Sequence, residues 1–130
     1  MVISIFDDGP AAGNCTTQGK DAVCTINGAS WPHTTRLRYQ TGNVVRWRVI
    51  NLSCDLHAMH LHGFHFTIDS DGDGTVDRPL AADRQRTAVT EAIPPGRTFT
   101  LSWIPTRAGN WLFHCHMVPH MTAPADAASL

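Results

Sequence analysis

Two short stretches hold six of the chain's eight histidines: His57-Ala58-Met59-His60-Leu61-His62-Gly63 and His114-Cys115-His116-Met117-Val118-Pro119-His120. In both, imidazoles recur at every second position, and in the second a thiol sits between two of them. Side chains on a β-strand alternate between its faces. If residues 111–116 form a strand, His114 and His116 point one way while Trp111, Phe113 and Cys115 point the other. A single strand then serves two sites, back to back. The thiol looks into the apolar interior, and the two imidazoles look out toward a separate site. His60 and His62 share the same spacing, so both can leave on one face.

The rest of the chain is consistent with strands. VVRWRVIN, from Val44, puts Val45, Trp47 and Val49 on one face. HFTI (His65 to Ile68) reads as a second strand followed by the turn cluster DSDGDGT, and TAVTEAI (Thr87 to Ile93) as a third that ends at Pro94-Pro95-Gly96. RTFTLSWI, with Phe99, Leu101 and Trp103 on one face, is a fourth, and NWLFHCH a fifth. A short helical turn fits between Pro79 and Arg86. Short strands, Gly/Pro turns and the lack of long helical periodicity predict an all-β sandwich or barrel. The expected organisation is one domain over residues 1–130. Its first 25 residues are loop-rich, with one strand near Val23 to Ile26, and its tail, 122–130, has the composition of a mobile end.

Composition narrows the function. Net charge is −1 with neutral histidines, and charged residues make up 16% of the chain, with Lys20 the single lysine. That excludes the basic footprint of a nucleic-acid binder and a polybasic membrane patch. No apolar run approaches the ~18 residues a membrane span needs. The opening MVISIFDDGP lacks the basic residues and apolar length of a signal peptide. Compartment therefore rests on the four cysteines, Cys15, Cys24, Cys54 and Cys115. Cys15 and Cys24 flank a turn-rich loop and are expected to pair, with Cys54 competing for either partner. Such a bridge, together with the metal chemistry below, points to an oxidising compartment, periplasmic or secreted.

His57 and His120 complete a set of two imidazoles and one thiolate with Cys115, the ligand type of blue-copper electron-transfer sites. The spacing Cys115-x4-His120 lets the loop after the strand curl back onto the same metal. His60, His62, His114 and His116 offer four nitrogen donors that suit copper or zinc. A zinc hydrolase would bring carboxylates among the histidines, and neither cluster contains Asp or Glu.

HAMHLHG and HCHMVPH resemble the two copper-binding motifs of the last cupredoxin domain of multicopper oxidases, the laccase-like family. NGASWPHT, VVRWRVIN and GNWLFHCH resemble the same domain, so the likeness spans residues 25–121. The resemblance implies a cupredoxin-like Greek-key β-sandwich. It implies that His57, Cys115 and His120 hold a type 1 copper, His60 a type 2 copper, and His62, His114 and His116 a type 3 pair. It further implies electron flow from a reducing substrate, phenol-like or a metal ion, through the Cys115–His114 and Cys115–His116 links to a trinuclear cluster that reduces O2 to water.

The chain departs from that pattern in two places. The family often puts Met, Leu or Phe five residues after the last type 1 histidine, where this chain has Ala125. Met121 adjoins His120, but neighbours on a loop diverge, so no strong axial sulfur is expected, which would raise the reduction potential. More consequentially, the family's trinuclear cluster uses eight histidines, four from each of two domains. This chain supplies four, His33 and His65 being isolated and expected at structural or exposed positions. Either a homo-oligomer completes the cluster at a subunit interface or the chain is an excised domain. The initial Met favours the former, as does the prevalence of closed homo-oligomers.

DSDGDGTVD (Asp69 to Asp77) has the Asp/Gly spacing of a calcium loop, but position 12 is Leu80 rather than Glu, and a polar turn accounts for it better. Asp55, Asp83 and Glu91 are acids available for proton transfer, although nothing in the sequence brings them to the histidines. The competing functions are a blue-copper electron carrier, which has no use for the four extra histidines, a copper nitrite reductase, which His116 disfavours, and a domain holding adventitious zinc.

Overall fold

The computed structural model describes residues 1–6 and 23–121 of the 130-residue chain. Ten strands and one helical turn follow in order: β1 (Val2–Phe6), β2 (Val23–Ile26), β3 (Val45–Asn51), β4 (His57–Leu61), β5 (Phe66–Gly72), β6 (Asp77–Pro79), β7 (Arg86–Ala88), β8 (Thr90–Ile93), β9 (Thr98–Trp103), β10 (Phe113–Cys115) and α1 (Val118–Met121). The larger sheet has the order β2-β1-β3-β9-β5-β6, with β7 also on β5, and the smaller has the order β10-β4-β8. All pairs are antiparallel except β1 with β3. This is the all-β architecture expected from the strand pattern, and the cupredoxin-like fold implied by the resemblance.

The core follows from alternation. Val45 and Val49 of β3, Phe66 and Ile68 of β5, and Phe99, Leu101 and Trp103 of β9 turn inward. Met59 and Leu61 of β4 and Ile93 of β8 meet them from the smaller sheet. Burying side chains of this size contributes about 1.5–3 kcal/mol each, which makes these positions the main source of the fold's stability.

Three expectations need correction, and one strand was not anticipated: β1, within the loop-rich first 25 residues, pairs with both β2 and β3, and Ile3 is buried. Its parallel partner lies more than forty residues away, so no local signal marks it. The stretch Thr87 to Ile93 is not one strand. β7 pairs with β5 in the larger sheet and β8 with β4 in the smaller, so the chain changes sheets at Val89. β5 runs on through Gly72, so Asp69 and Asp71 lie on a strand rather than in a turn. Asp69 faces Arg46 at 3.8 Å, Asp71 pairs with Arg97, and Asp77 lies 2.9 Å from Arg48. Asp73 caps the turn by accepting from the backbone of Thr75 and Val76 at 3.0 and 2.9 Å. These carboxylates are thus engaged with separate arginines or with the turn itself. Lastly, the Cys15–Cys24 bridge is not formed: Cys24 carries a free thiol and Cys54 is disulfide-bonded. Pairing with β1 holds Cys24 in a strand, close enough to Cys115 and Asp55 to feel their charge. The tail 122–130 lies outside the described residues. The turn expected between Pro79 and Arg86 is present, with the amides of Arg84 and Gln85 both donating to Ala81 O at 2.8 and 3.0 Å.

A clamp sits where β4 ends. Trp111 lies over Gly63, packs edge-on to Phe64 with centroids 5.1 Å apart, and carries the Arg107 guanidinium 4.6 Å from its ring centre. Arg107 also donates to Gly63 O at 3.0 Å. Gly63 has φ +81°, and a Cβ there would fall 2.4 Å from the Trp111 ring. Gly63→Ala is therefore expected to cost about 2–4 kcal/mol in a urea melt, from left-handed strain plus overpacking. Gly42→Ala, with φ +86° but open space around it, should cost only about 1–2 kcal/mol. Equal losses at the two sites would show that the Trp111 clamp is not rigid.

Candidate metal centre

The smaller sheet sets the site. β4 and β10 run antiparallel with Phe113 opposite Leu61, His114 opposite His60 and Cys115 opposite Met59. Two backbone bonds continue the pairing past both ends: His62 N to Leu112 O at 2.9 Å, and His116 N to Ala58 O at 2.7 Å. This register puts Leu61, Met59 and Cys115 on the inner face and His60 and His114 on the outer.

On the inner side, His57 opens β4 opposite Ile93 of β8 and is 1% exposed. After β10 the chain makes one helical turn, closed by His120 N donating to Met117 O at 2.9 Å. This turn carries His120 Nδ1 to 3.3 Å from Cys115 Sγ, and its ring centroid to 4.6 Å from that of His57. One donor atom each from His57, Cys115 and His120 lie within 4.8 Å of one another. That is close to the span three ligands allow around one ion at about 2.0–2.3 Å. The fit is carried by one atom. His57 Nδ1 is buried and has no hydrogen-bond partner among the described residues, whereas Nε2 sits 2.8 Å from Ser53 Oγ. A buried polar atom left alone is costly, and a metal ion would satisfy it. Burial first, then the neighbouring His120, lowers the His57 pKa from 6.5 to about 4, so the ring is neutral and able to ligate at physiological pH.

Two residues beside this site were not expected there. Asp55 Oδ2 lies 3.9 Å from His120 Nε2, so an acid that the sequence offers for proton transfer without placing it faces a candidate ligand. Its position two residues before the HAMHLHG motif was the available signal. Cys24 is half-buried, and its pKa is raised by burial, then by Cys115 and Asp55. Its thiol is not among the donor atoms that converge on the site. Met121 is 45% exposed, and Ala125 lies outside the described residues. Of the other acids, Glu91 is buried against Arg86 and Asp83 is exposed in a turn.

On the outer side, His60, His62, His114 and His116 gather with ring centroids 4.8–5.8 Å apart. His114 Nδ1 is 2.8 Å from Cys115 O, and because a carbonyl only accepts, Nδ1 is the protonated nitrogen. Its Nε2 is left with a lone pair and faces His62 Nε2 at 2.9 Å. His60 Nδ1 is 2.7 Å from Thr90 Oγ1. The His60 pKa is lowered by burial, then by His62 and His116, which favours the neutral ring at His60. His62 and His116 are exposed and His60 and His114 partly so, leaving one side of the group open. His33 and His65 are exposed and lie outside both groups.

A family model described as "Multicopper oxidase" matches residues 6–124. Laccase-9 of Arabidopsis thaliana is 39% identical over 75 residues, covering 54% of this chain and 13% of its own length. A multicopper oxidase named mgLAC superposes with TM-score 0.76 at 25% identity, over 95% of this chain and 38% of that one. A blue copper oxidase from Nitrosomonas europaea gives TM-score 0.74 at 27% identity, over 95% and 39%. The chain thus spans well under half the length of these relatives.

The His57 shift sets a pH dependence for the metal-free protein. A depressed pKa means that the unfolded chain binds more protons than the folded one between 6.5 and about 4. Stability is therefore complete above the upper value and falls through that window by roughly 3 kcal/mol. Urea melts at a series of pH values check this, and His57→Gln should flatten the slope. An unchanged slope would mean that His57 is not its source.

Proposed function

The chain belongs to the multicopper oxidase family, and from that premise we propose that it is a laccase-type oxidase module that holds copper at two sites joined through one strand. His57, Cys115 and His120 would hold the type 1 copper, His60 the type 2 copper, and His62, His114 and His116 the type 3 pair. Copper in these sites supplies one-electron uptake from a reducing substrate and reduction of O2 to water. The observation that carries this reading is the placement of Cys115 between His114 and His116 on a strand whose two faces address different donor groups. The peptide links from Cys115 to either neighbour form a short covalent path between the sites.

The residues of the chain have separable tasks. His57 offers a neutral nitrogen to the inner site, His120 completes the imidazole pair, and the surrounding core keeps bulk water from it. Asp55, beside His120 Nε2, can accept a proton or attract a cationic reductant at the inner site's edge. His114 presents Nε2 because its Nδ1 proton is held by the Cys115 carbonyl. The four outer imidazoles form half a shell, open on one side, and a second copy of the chain or a partner domain would supply the remainder. The reducing substrate would be phenol-like or a metal ion. The disulfide at Cys54 supports an oxidising compartment, periplasmic or extracellular.

The alternative is an electron-transfer module loaded only at the thiolate site. Copper analysis with size determination in solution, followed by oxygen uptake on a phenolic donor, separates the two. The oxidase reading expects an oligomer holding well over one copper per chain and consuming oxygen. A monomer with about one copper and no oxygen uptake would establish the carrier instead.

A further inference from the structure

Beneath the thiolate site lies a buried polar chain with no counterpart in the hydrophobic pattern around it. Asn51, the last residue of β3, is 0% exposed, Ser53 is 7% exposed and His57 is 1% exposed. The hydrogen bonds of Asn51 leave no freedom in its orientation. Its Nδ2 donates to Asp55 O at 2.6 Å and to Ile93 O at 2.8 Å. Its Oδ1 accepts from Ser53 N at 2.9 Å and from Ser53 Oγ at 2.7 Å. Carbonyl oxygens cannot donate, so Nδ2 must face Asp55 and Ile93, and Oδ1 must face Ser53. The Asn51 backbone is held as well, its N donating to Arg97 O at 3.0 Å and its O accepting from Gly96 N at 2.9 Å.

The proton on His57 then follows by counting. Ser53 Oγ has one hydrogen, and it is taken by the oxygens it faces, Asn51 Oδ1 at 2.7 Å and Asp55 O at 3.2 Å, since neither brings a hydrogen of its own. The serine's lone pairs remain. One receives Asp55 N–H at 3.2 Å, and the other faces His57 Nε2 at 2.8 Å. His57 Nε2 must therefore be the donor in that contact. A neutral imidazole carries one N–H, so Nδ1 holds a free lone pair, and Nδ1 is the buried, unpartnered nitrogen.

We propose that Asn51 and Ser53 are positioning residues that fix His57 as its Nε2–H tautomer and so keep Nδ1 as the metal donor. The inference rests on the reading of His57, Cys115 and His120 as a copper site, and extends it to residues that touch neither metal nor substrate. The same asparagine reaches the other histidine. Through Asp55 O it anchors the loop whose carboxylate lies 3.9 Å from His120 Nε2. Outer partners of this kind set ring orientation and ligand basicity, and their loss typically costs about 10- to 100-fold in metal affinity.

The test begins on the metal-free, full-length chain. Nitrogen-15 chemical shifts of the His57 ring report its tautomer directly. The relay expects Nε2–H in the wild type and a mixed population in Ser53→Ala. A wild-type ring protonated at Nδ1 overturns the proposal, whatever the behaviour toward copper. Copper(II) is then added and its release to a chelator followed through the thiolate charge-transfer band. Ser53→Ala should release copper about 10- to 100-fold faster, and Ser53→Thr, which keeps the hydroxyl, should restore the wild-type rate. Equal release rates for wild type and Ser53→Ala would refute the relay while leaving the copper site intact. No thiolate band in the wild type would refute the copper reading itself, and the tautomer measurement would still decide whether the relay exists.

Discussion

The register between β4 and β10 is the constraint from which the rest of the site follows. Cys115 opposite Met59 and His114 opposite His60 is one of two phases the pairing can take. The other, a slip of one residue, would move every side chain of β10 to the opposite face. The thiol would then stand among the outer imidazoles, and His114 would be pushed against the core. The observed phase is enforced from both sides. Leu61 and Met59 are buried on the inner face, while Trp111 and Arg107 lock the chain end that leads into β10. The separation of two donor groups is thus held by ordinary hydrophobic burial, acting through alternation along one short strand.

Electrostatics at the two groups differ in kind. The inner donors are desolvated, and His57 is kept neutral chiefly because charging it in the core is unfavourable. The outer imidazoles are much more accessible, and His60 stays neutral partly because the other rings crowd it. Both routes leave nitrogen lone pairs available at neutral pH, but only the inner site pins its tautomer with a saturated polar network. The outer group relies on a backbone carbonyl at His114 and on the Thr90 hydroxyl at His60. A site open on one side leaves room for further ligands.

The misreadings share a physical origin. In DSDGDGT, turn-forming residue types occupy the second half of β5, because each acid there meets an arginine supplied by a neighbouring strand or turn. The break between β7 and β8 falls inside an apparently continuous β pattern, because which sheet a residue joins depends on partners dozens of positions away. Cys15 and Cys24 are close in sequence, whereas β2 holds Cys24 near the candidate metal centre with its thiol free. In each case local propensity was read correctly and long-range pairing overrode it.

The sequence alone determined the chemistry: two imidazole pairs at strand spacing, a thiol between one pair, and further imidazoles at His57 and His120 within reach of it. Those features are local, and alternation of side chains along a strand is a property of the backbone that needs no tertiary information. The all-β class was legible for the same reason. Tertiary structure alone decided which donors meet, because His57 and Cys115 lie on strands far apart in sequence and converge only through the β4–β10 register. It alone brought Asp55, Cys24, Ser53 and Asn51 to these donors. A buried asparagine that satisfies all its hydrogen bonds looks like any other asparagine until the fold brings its partners to it.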